Sequence, residues 1–278
     1  MYGSEKWICE PSAMRRWAYR LLGEINVPGR LRSYHILRAL QRLSLMGRPI
    51  RMLEAGCGKG DLAIYLARRN PHWQIVGLEL EPAKVDSGRH VAQHLGLTNI
   101  EFRLGNLAHP SFDSEFDLIL NADVLEHIED DVTVIGNFCH ALRPGGFVLV
   151  TSPSIPQRKH LRTVYWREKR IGFQPSDYGH VRDGYSKQDL EKKFTAAGGR
   201  VVDCRFTFGF FGTLAFDLFF TIGDSHPNPI VYALMFPWLM ALAGLDLTFP
   251  TRTGSAILAV AQRPASEEVP HDLRLYPC

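Results

Sequence analysis

Residues Arg51–Ala67 read Arg-Met-Leu-Glu-Ala-Gly-Cys-Gly-Lys-Gly-Asp-Leu-Ala-Ile-Tyr-Leu-Ala. A short apolar run ends at Leu53, glycines follow at Gly56, Gly58 and Gly60, and apolar residues recur at helical spacing through Leu62, Tyr65 and Leu66. The pattern predicts a strand, a tight loop and a helix. Glycines in such a loop accept positive φ and let a ligand lie against bare backbone, while the first N–H groups of the helix face the loop.

A dinucleotide fingerprint would place its third glycine three residues after the second; here it comes after two, and Glu54 stands two residues before the first glycine. A carboxylate there would repel a pyrophosphate and suit a ligand carrying an ammonium and a sulfonium. The segment resembles the first motif of the class I S-adenosylmethionine-dependent methyltransferases, Glu/Asp-x-Gly-x-Gly-x-Gly. Further along, Trp73–Leu80 reads as a second buried strand ending in Glu79, roughly 20 residues past the loop, where a carboxylate can accept both ribose hydroxyls. Ile100–Leu104 is a third strand, followed by Gly105, Asn106 and Leu107. The family commonly has Gly-Asp-Ala here, the acid accepting the adenine amino group; the amide oxygen of Asn106 can accept the same bond.

A fourth strand, Phe116–Leu120, leads into Asn121-Ala122-Asp123-Val124-Leu125-Glu126-His127, and Leu142-Arg-Pro-Gly-Gly-Phe-Val-Leu-Val follows. Both are similar to later motifs of small-molecule and lipid methyltransferases. The resemblance implies a Rossmann-like α/β fold, a seven-stranded, mostly parallel sheet with an antiparallel last strand. It further implies that S-adenosylmethionine is the cofactor and S-adenosylhomocysteine the product. The implied cofactor residues are Glu54, Gly56, Cys57, Gly58, Gly60, Glu79, Leu80, Gly105, Asn106, Leu107, Asn121 and Ala122.

Upstream, Ala13–Gly23 and Leu31–Leu45 read as helices separated by a break at Asn26-Val-Pro-Gly. Most of their arginines suit a solvated face, but helices before the first strand often cover the substrate pocket in this family, which singles out Arg30, Arg32, Tyr34 and His35. Gly179-His180-Val-Arg, then Gly184-Tyr185-Ser186 and a helix from Lys187, resembles a segment between strands five and six. That segment puts His180 at the carboxyl end of the sheet as a candidate base. His127 either borders the active site or caps and packs a helix. With Tyr34 these two histidines are the catalytic candidates. No acidic cluster follows strand five, so no metal is expected, and no Asn/Asp-Pro-Pro-Tyr segment suggests a nucleic-acid substrate.

Arg200–Phe208 and Gly254–Ala261 read as the last two strands. Between them Phe206–Thr251 holds no Lys or Arg, whereas Met1–Arg51 carries ten against three Asp/Glu, and a second basic cluster spans Arg158–Arg170. Pro237 is expected to break or kink a helix, and the uncharged run Ile230–Leu245 looks short for a membrane span. The insert is expected either to close over the substrate or to face a membrane, and its lack of basic residues favours a lid. The expected organisation is a helical cap over residues 1–48, a methyltransferase domain over 49–264 and a tail over 265–278. Within that domain, 155–185 is a substrate loop and 206–250 an apolar insert.

Five scattered cysteines and an N-terminus without the apolar core of a secretory signal point to the cytoplasm, with peripheral membrane contact as an option. The net charge of +3 calls for no polyanionic partner. The acceptor expected from apolar insert and arginine-rich segments is a small hydrophobic molecule with a polar or anionic head. A non-catalytic membrane-surface protein and a cyclase using the cofactor for positioning are the alternatives.

Overall fold

The computed structural model describes residues 2–110, 112–171, 179–223, 229–249 and 251–265. Seven strands form one sheet in the order β3-β2-β1-β4-β5-β7-β6. They are β1 (Arg51–Ala55), β2 (Gln74–Glu79), β3 (Ile100–Leu104), β4 (Phe116–Ala122), β5 (Leu142–Pro153), β6 (Arg200–Thr207) and β7 (Ala256–Gln262). The first five run parallel, while β7 lies antiparallel between β5 and β6. Runs such as Leu118-Ile-Leu and Val148-Leu-Val are buried throughout, as expected for a parallel sheet covered on both faces. Leu142-Arg-Pro-Gly-Gly forms the first residues of β5, with Gly145 at φ +83°.

One face of the sheet packs on α5 (Asp131–Ala141) and α7 (Lys187–Ala196) through Val134, Ile135, Phe138, Leu190 and Phe194. The other packs on α2 (Val27–Arg42) and α3 (Asp61–Arg69), through Ile36, Leu40, Leu62 and Leu66 against Met52, Leu118 and Leu149. The Asn26-Val-Pro-Gly break proves to be the start of α2. The Asn26 side chain accepts from Gly29 N at 2.9 Å, and Pro28 occupies the first turn, where its missing N–H has no intrahelical role. The preceding helix α1 (Ala13–Leu22) buries none of its side chains.

The insert forms α8 (Phe210–Gly223) and α9 (Pro229–Thr248), two packed helices whose inner faces bury Ala215, Phe219, Leu239 and Ala243 with Val27 and Leu31 of α2. Pro237 does not break the helix: α9 continues through it. Pro237 is exposed, so its ring and the carbonyl it leaves unbonded face away from the packed side, and the contacts of Leu239 and Ala243 hold the helix together. The helical stretch Ile230–Thr248 has 19 residues and is long and apolar enough by length and composition to cross a membrane, longer than the uncharged run Ile230–Leu245 on which the expectation of a short stretch rests. The remaining helices are α4 (Pro82–His94) and α6 (Arg162–Ile171). Tyr178, Asp224, Pro250 and nearly all of the tail lie outside the described residues.

Candidate active site

β1 and β4 are neighbours, and from them the strand order runs outward in both directions, which makes their carboxyl ends the topological switch point where open α/β sheets hold ligands. The glycine loop leaves β1 there. Gly56, Gly58 and Gly60 adopt φ of +76°, +55° and +80°, all in the left-handed region that disfavours a side chain. Their surroundings differ. A Cβ on Gly56 would fall 2.6 Å from Val124, and one on Gly60 2.3 Å from Phe102, whereas one on Gly58 would meet no atom within 4 Å. Gly56 and Gly60 are therefore small for packing, and Gly58 alone leaves bare backbone facing open space.

Glu79, at the end of β2, accepts from Gly58 N at 2.8 Å through Oε2 and from Leu80 N and Glu81 N at 3.0 and 3.1 Å through Oε1. Its carboxylate thus fixes the tip of the loop. Leu80 beside it is 67% exposed, an apolar surface next to a carboxylate. Glu54 is buried and accepts from Ala63 N in the first turn of α3 at 2.9 Å. Burial, with smaller contributions from Asp61 and Glu79, pushes its carboxyl up to about 8 against the opposing Ala63 hydrogen bond. Burial likewise pushes the Cys57 thiol up, so Cys57 acts as a small apolar residue packed near Phe102. Gly105 is held small by Leu78, whose Cδ1 a Cβ would approach to 2.7 Å, and Leu107 is buried in the core. Asn106 Oδ1 accepts from Ala108 N at 2.9 Å, leaving its second lone pair for a ligand donor.

At the end of β4, Asn121 is fully buried. Its Nδ2 donates to Ala55 O at 2.9 Å, and its Oδ1 has no hydrogen-bond partner among the described residues. A buried acceptor left unmet beside an open glycine loop fits a ligand that brings a donor. Together with the Gly58 opening and the Glu79 carboxylate, it fits an ammonium- and ribose-bearing cofactor. Ala122 follows, half-buried, and Asp123 takes φ +53°. The Asp123 carboxylate accepts from Thr151 Oγ1 at 2.8 Å and pairs with Arg32 of α2 at 2.5 Å.

His180 reaches the same end of the sheet. Its loop is fastened to the β4–α5 connection by Val181 N donating to Glu126 O at 2.9 Å, and by Arg182, which bonds Asp131 and, at 2.6 Å, Tyr185 Oη. The His127 and His180 rings meet edge to face with centroids 4.7 Å apart, and His127 Nδ1 lies 3.1 Å from Gly179 O. Burial first, then His127, lowers the pKa of His180, against the pull of Asp123 and Asp183, so the neutral proton-accepting form is favoured. Glu126, quoted above only as part of a motif, is buried and accepts from Ser152 Oγ at 3.1 Å. Burial and Asp123 raise its pKa to about 8. One ligand atom each of Glu126, His127 and His180 lie within 4.8 Å of one another, a grouping that linear spacing did not reveal.

Of the upstream residues, Arg32 reaches this site through Asp123. Arg30, singled out as a residue over the substrate pocket, is buried, donating to Leu22 O at 2.6 Å, Glu24 O at 3.1 Å and Tyr34 Oη at 2.8 Å. The Tyr34 hydroxyl is thereby engaged in joining α1 to α2. His35 contacts Asp246 of α9 at 3.0 Å and binds the insert to α2. A cavity of about 540 Å³, lined by Arg51, Gln74, Asn99, Asp117 and Arg143, lies at the opposite, amino end of the sheet. It contains none of the groups just described.

A seven-stranded sheet with an antiparallel β7, a glycine loop after β1 and a carboxylate closing β2 defines the Rossmann-like fold of class I methyltransferases. Residues 48–198, just over half of the 278, match the family profile described as a methyltransferase domain, and the chain belongs to that S-adenosylmethionine-dependent family. A relative from Mycolicibacterium smegmatis, named "Probable S-adenosylmethionine-dependent methyltransferase", is 35% identical over 147 residues, 49% of this chain and 52% of the relative. The ubiquinone biosynthesis O-methyltransferase of Sinorhizobium fredii is 26% identical over 155 residues, 55% of this chain and 61% of the relative. The chain thus spans little more than half the length of these curated relatives. Among solved structures, Haemonchus contortus phosphoethanolamine N-methyltransferase 2 in complex with S-adenosyl-L-methionine superposes with a TM-score of 0.58. It is 15% identical, over 91% of this chain and 60% of that one, a likeness of fold.

Proposed function

We propose that the protein transfers a methyl group from S-adenosylmethionine to oxygen or carbon of a small hydrophobic acceptor with a polar or anionic head. The observation that carries this reading is the convergence, at one end of the sheet, of the open backbone at Gly58, the Glu79 carboxylate and a histidine, His180, held toward its neutral form. Gly58, Glu54, Glu79, Asn121 and Asn106 hold the cofactor; bound there, it supplies a methyl group on a sulfonium for direct displacement.

The rest is done by the chain's own side chains. Glu79 meets hydroxyls with a side chain that already orders the loop, so little rearrangement is needed. Glu54, protonated in part at neutral pH, regains its charge beside a cation. His180 takes the acceptor proton, its loop fixed by Arg182 and Val181. Arg32, paired with Asp123, offers a cation to an anionic head, and α8 packed on α2 supplies apolar surface and excludes water. The quinone-pathway relative agrees in kind with such an acceptor.

The test is turnover with S-adenosylmethionine against a panel of prenylated phenols, quinols and acyl chains bearing a hydroxyl, with S-adenosylhomocysteine release as readout. Wild type should methylate a member of this panel, and His180→Ala should lower kcat by about 10²-fold or more with cofactor affinity unchanged. Turnover confined to water-soluble acceptors, or a His180→Ala enzyme of full activity, would contradict the proposal.

A further inference from the structure

α9 presents to solvent a face that α2 and α8 do not cover. Leu234 is 70% and Trp238 69% exposed; Ala241 and Leu245 continue the stripe, and Phe249 extends it past the end of the helix. The only acidic residue of α9, Asp246, is buried on the other side, where it accepts from Gly212 N at 2.8 Å. A contiguous apolar surface of this kind is rare on a freely soluble monomer.

A second, independent feature adjoins it. α1 is amphipathic and its apolar side is exposed: Met14, Trp17 and Leu21 follow at helical spacing, Trp17 and Leu21 being 63% and 67% exposed. Arg15 and Arg16 occupy the other side, Arg20 flanks the stripe with its guanidinium over the Trp7 and Trp17 rings, and α1 has no Asp or Glu. α1 ends at Leu22, three residues before Ile25, whose carbonyl accepts from the Tyr232 hydroxyl of α9, so the end of α1 lies near the start of α9. Beyond α8, α6 adds exposed Arg162, Lys169, Arg170 and Trp166, with Thr163 and Thr221 joining α6 to α8 at 3.3 Å. Arg38 caps the far end of α9 at Leu247 O.

We infer that α1 and the outer face of α9 form a docking surface for an anionic phospholipid bilayer, lying in its interface with α1, α6 and Arg38 supplying the basic rim. The uncharged insert taken alone argued for a lid, because an interfacial helix carries its basic residues on its polar face. The fold supplies those residues from α1 and α6 instead. A spanning orientation does not fit, since α9 is tied to α2 and α8 along its length, from Tyr232 through Leu239 and Ala243 to Asp246 and Leu247. Nor does a two-fold contact between copies, which would bring two sets of α1 arginines together, whereas lipid phosphates neutralise them.

The test is co-sedimentation of the full chain with vesicles of phosphatidylcholine alone and of phosphatidylcholine mixed with phosphatidylglycerol. Wild type should bind the mixed vesicles and lose them at high salt. Arg15→Gln, Arg16→Gln and Arg20→Gln combined should weaken that binding roughly 100-fold, at about fivefold per charge. Trp17→Ser with Leu21→Ser, and separately Leu234→Ser with Trp238→Ser, should each weaken it roughly tenfold or more. All these side chains are exposed, and the contacts the arginine variants lose are local ones to Trp7, Glu10, Pro11 and Trp17, so calorimetric S-adenosylmethionine affinity should be unchanged and thermal melts should shift only slightly; failure of cofactor binding in wild type would count against the proposed activity and not against docking. No binding to mixed vesicles, equal binding to neutral ones, or a sedimenting dimer broken by the Leu234/Trp238 variant would overturn the inference.

Discussion

Gly58→Ala and Gly60→Ala make the same chemical change two residues apart and should act on different quantities. Both positions have positive φ, so each alanine pays a conformational penalty of about 1 kcal/mol. At Gly60 the new Cβ would also stand 2.3 Å from the Phe102 ring, which is buried among Cys57, Ile64 and Val85 and has little room to move. Overpacking adds about 1–3 kcal/mol, so Gly60→Ala should lose roughly 2–4 kcal/mol of stability. At Gly58 nothing lies within 4 Å, and the stability loss should stay near the conformational term alone. If that opening is where the cofactor lies against the backbone, the methyl group obstructs it, and Gly58→Ala should lower S-adenosylmethionine affinity by about tenfold or more. Urea unfolding gives the stabilities and titration calorimetry the affinities. A Gly58→Ala protein that binds the cofactor as wild type does would refute the assignment of the open face. Equal destabilisation by both variants would refute the packing argument.

Glu79→Ala removes an acceptor for three backbone N–H groups as well as a partner for ribose hydroxyls. Cofactor affinity should drop roughly 10- to 150-fold, equivalent to about 1.5–3 kcal/mol, and calorimetry showing no change would dispose of that role. Glu54 and Glu126 both have folded pKa values raised from 4.5 to about 8. The folded chain therefore holds more protons than the unfolded one in that window, and their contribution is fully present below 4.5 and lost as pH rises through about 8. Denaturant melts across the window should show this decline, and Glu126→Gln should flatten it. Cofactor affinity should run the opposite way, rising toward pH 8 as Glu54 ionises, unless Glu54 has no contact with the cation. Turnover should survive EDTA, because Glu126 accepts from Ser152 and burial favours its protonated form; loss of activity restored by a divalent ion would assign the Glu126, His127 and His180 grouping to a metal.

The local elements of the site were legible because each depends on neighbours in sequence: positive φ at alternate glycines, a helix N-terminus behind them, and a carboxylate closing the next strand. Even the unmatched detail at Asn106 was visible as a departure from the usual acid. What a residue touches across the fold was not. Arg30 reads as a residue over the substrate pocket, yet it is buried against the carbonyls of Leu22 and Glu24 that the α1–α2 turn brings to it. Pro237 reads as a breaker, yet it sits on the one face of α9 where a missing hydrogen bond meets no packed neighbour.

By itself, then, the sequence determined the order of the strands and, through the motifs they carry, the class of cofactor, since periodicity, glycine placement and strand-end carboxylates are properties of short segments. The tertiary structure decided which glycine opens to a ligand, because that depends on Val124 and Phe102 arriving from distant segments. It also decided that Glu126 and the two histidines share one site, and that the uncharged α9 borrows its basic rim from α1 and α6. Burial and charge complementarity are sums over everything packed nearby, and those neighbours can lie more than two hundred residues apart in the chain, as Tyr232 and Ile25 do.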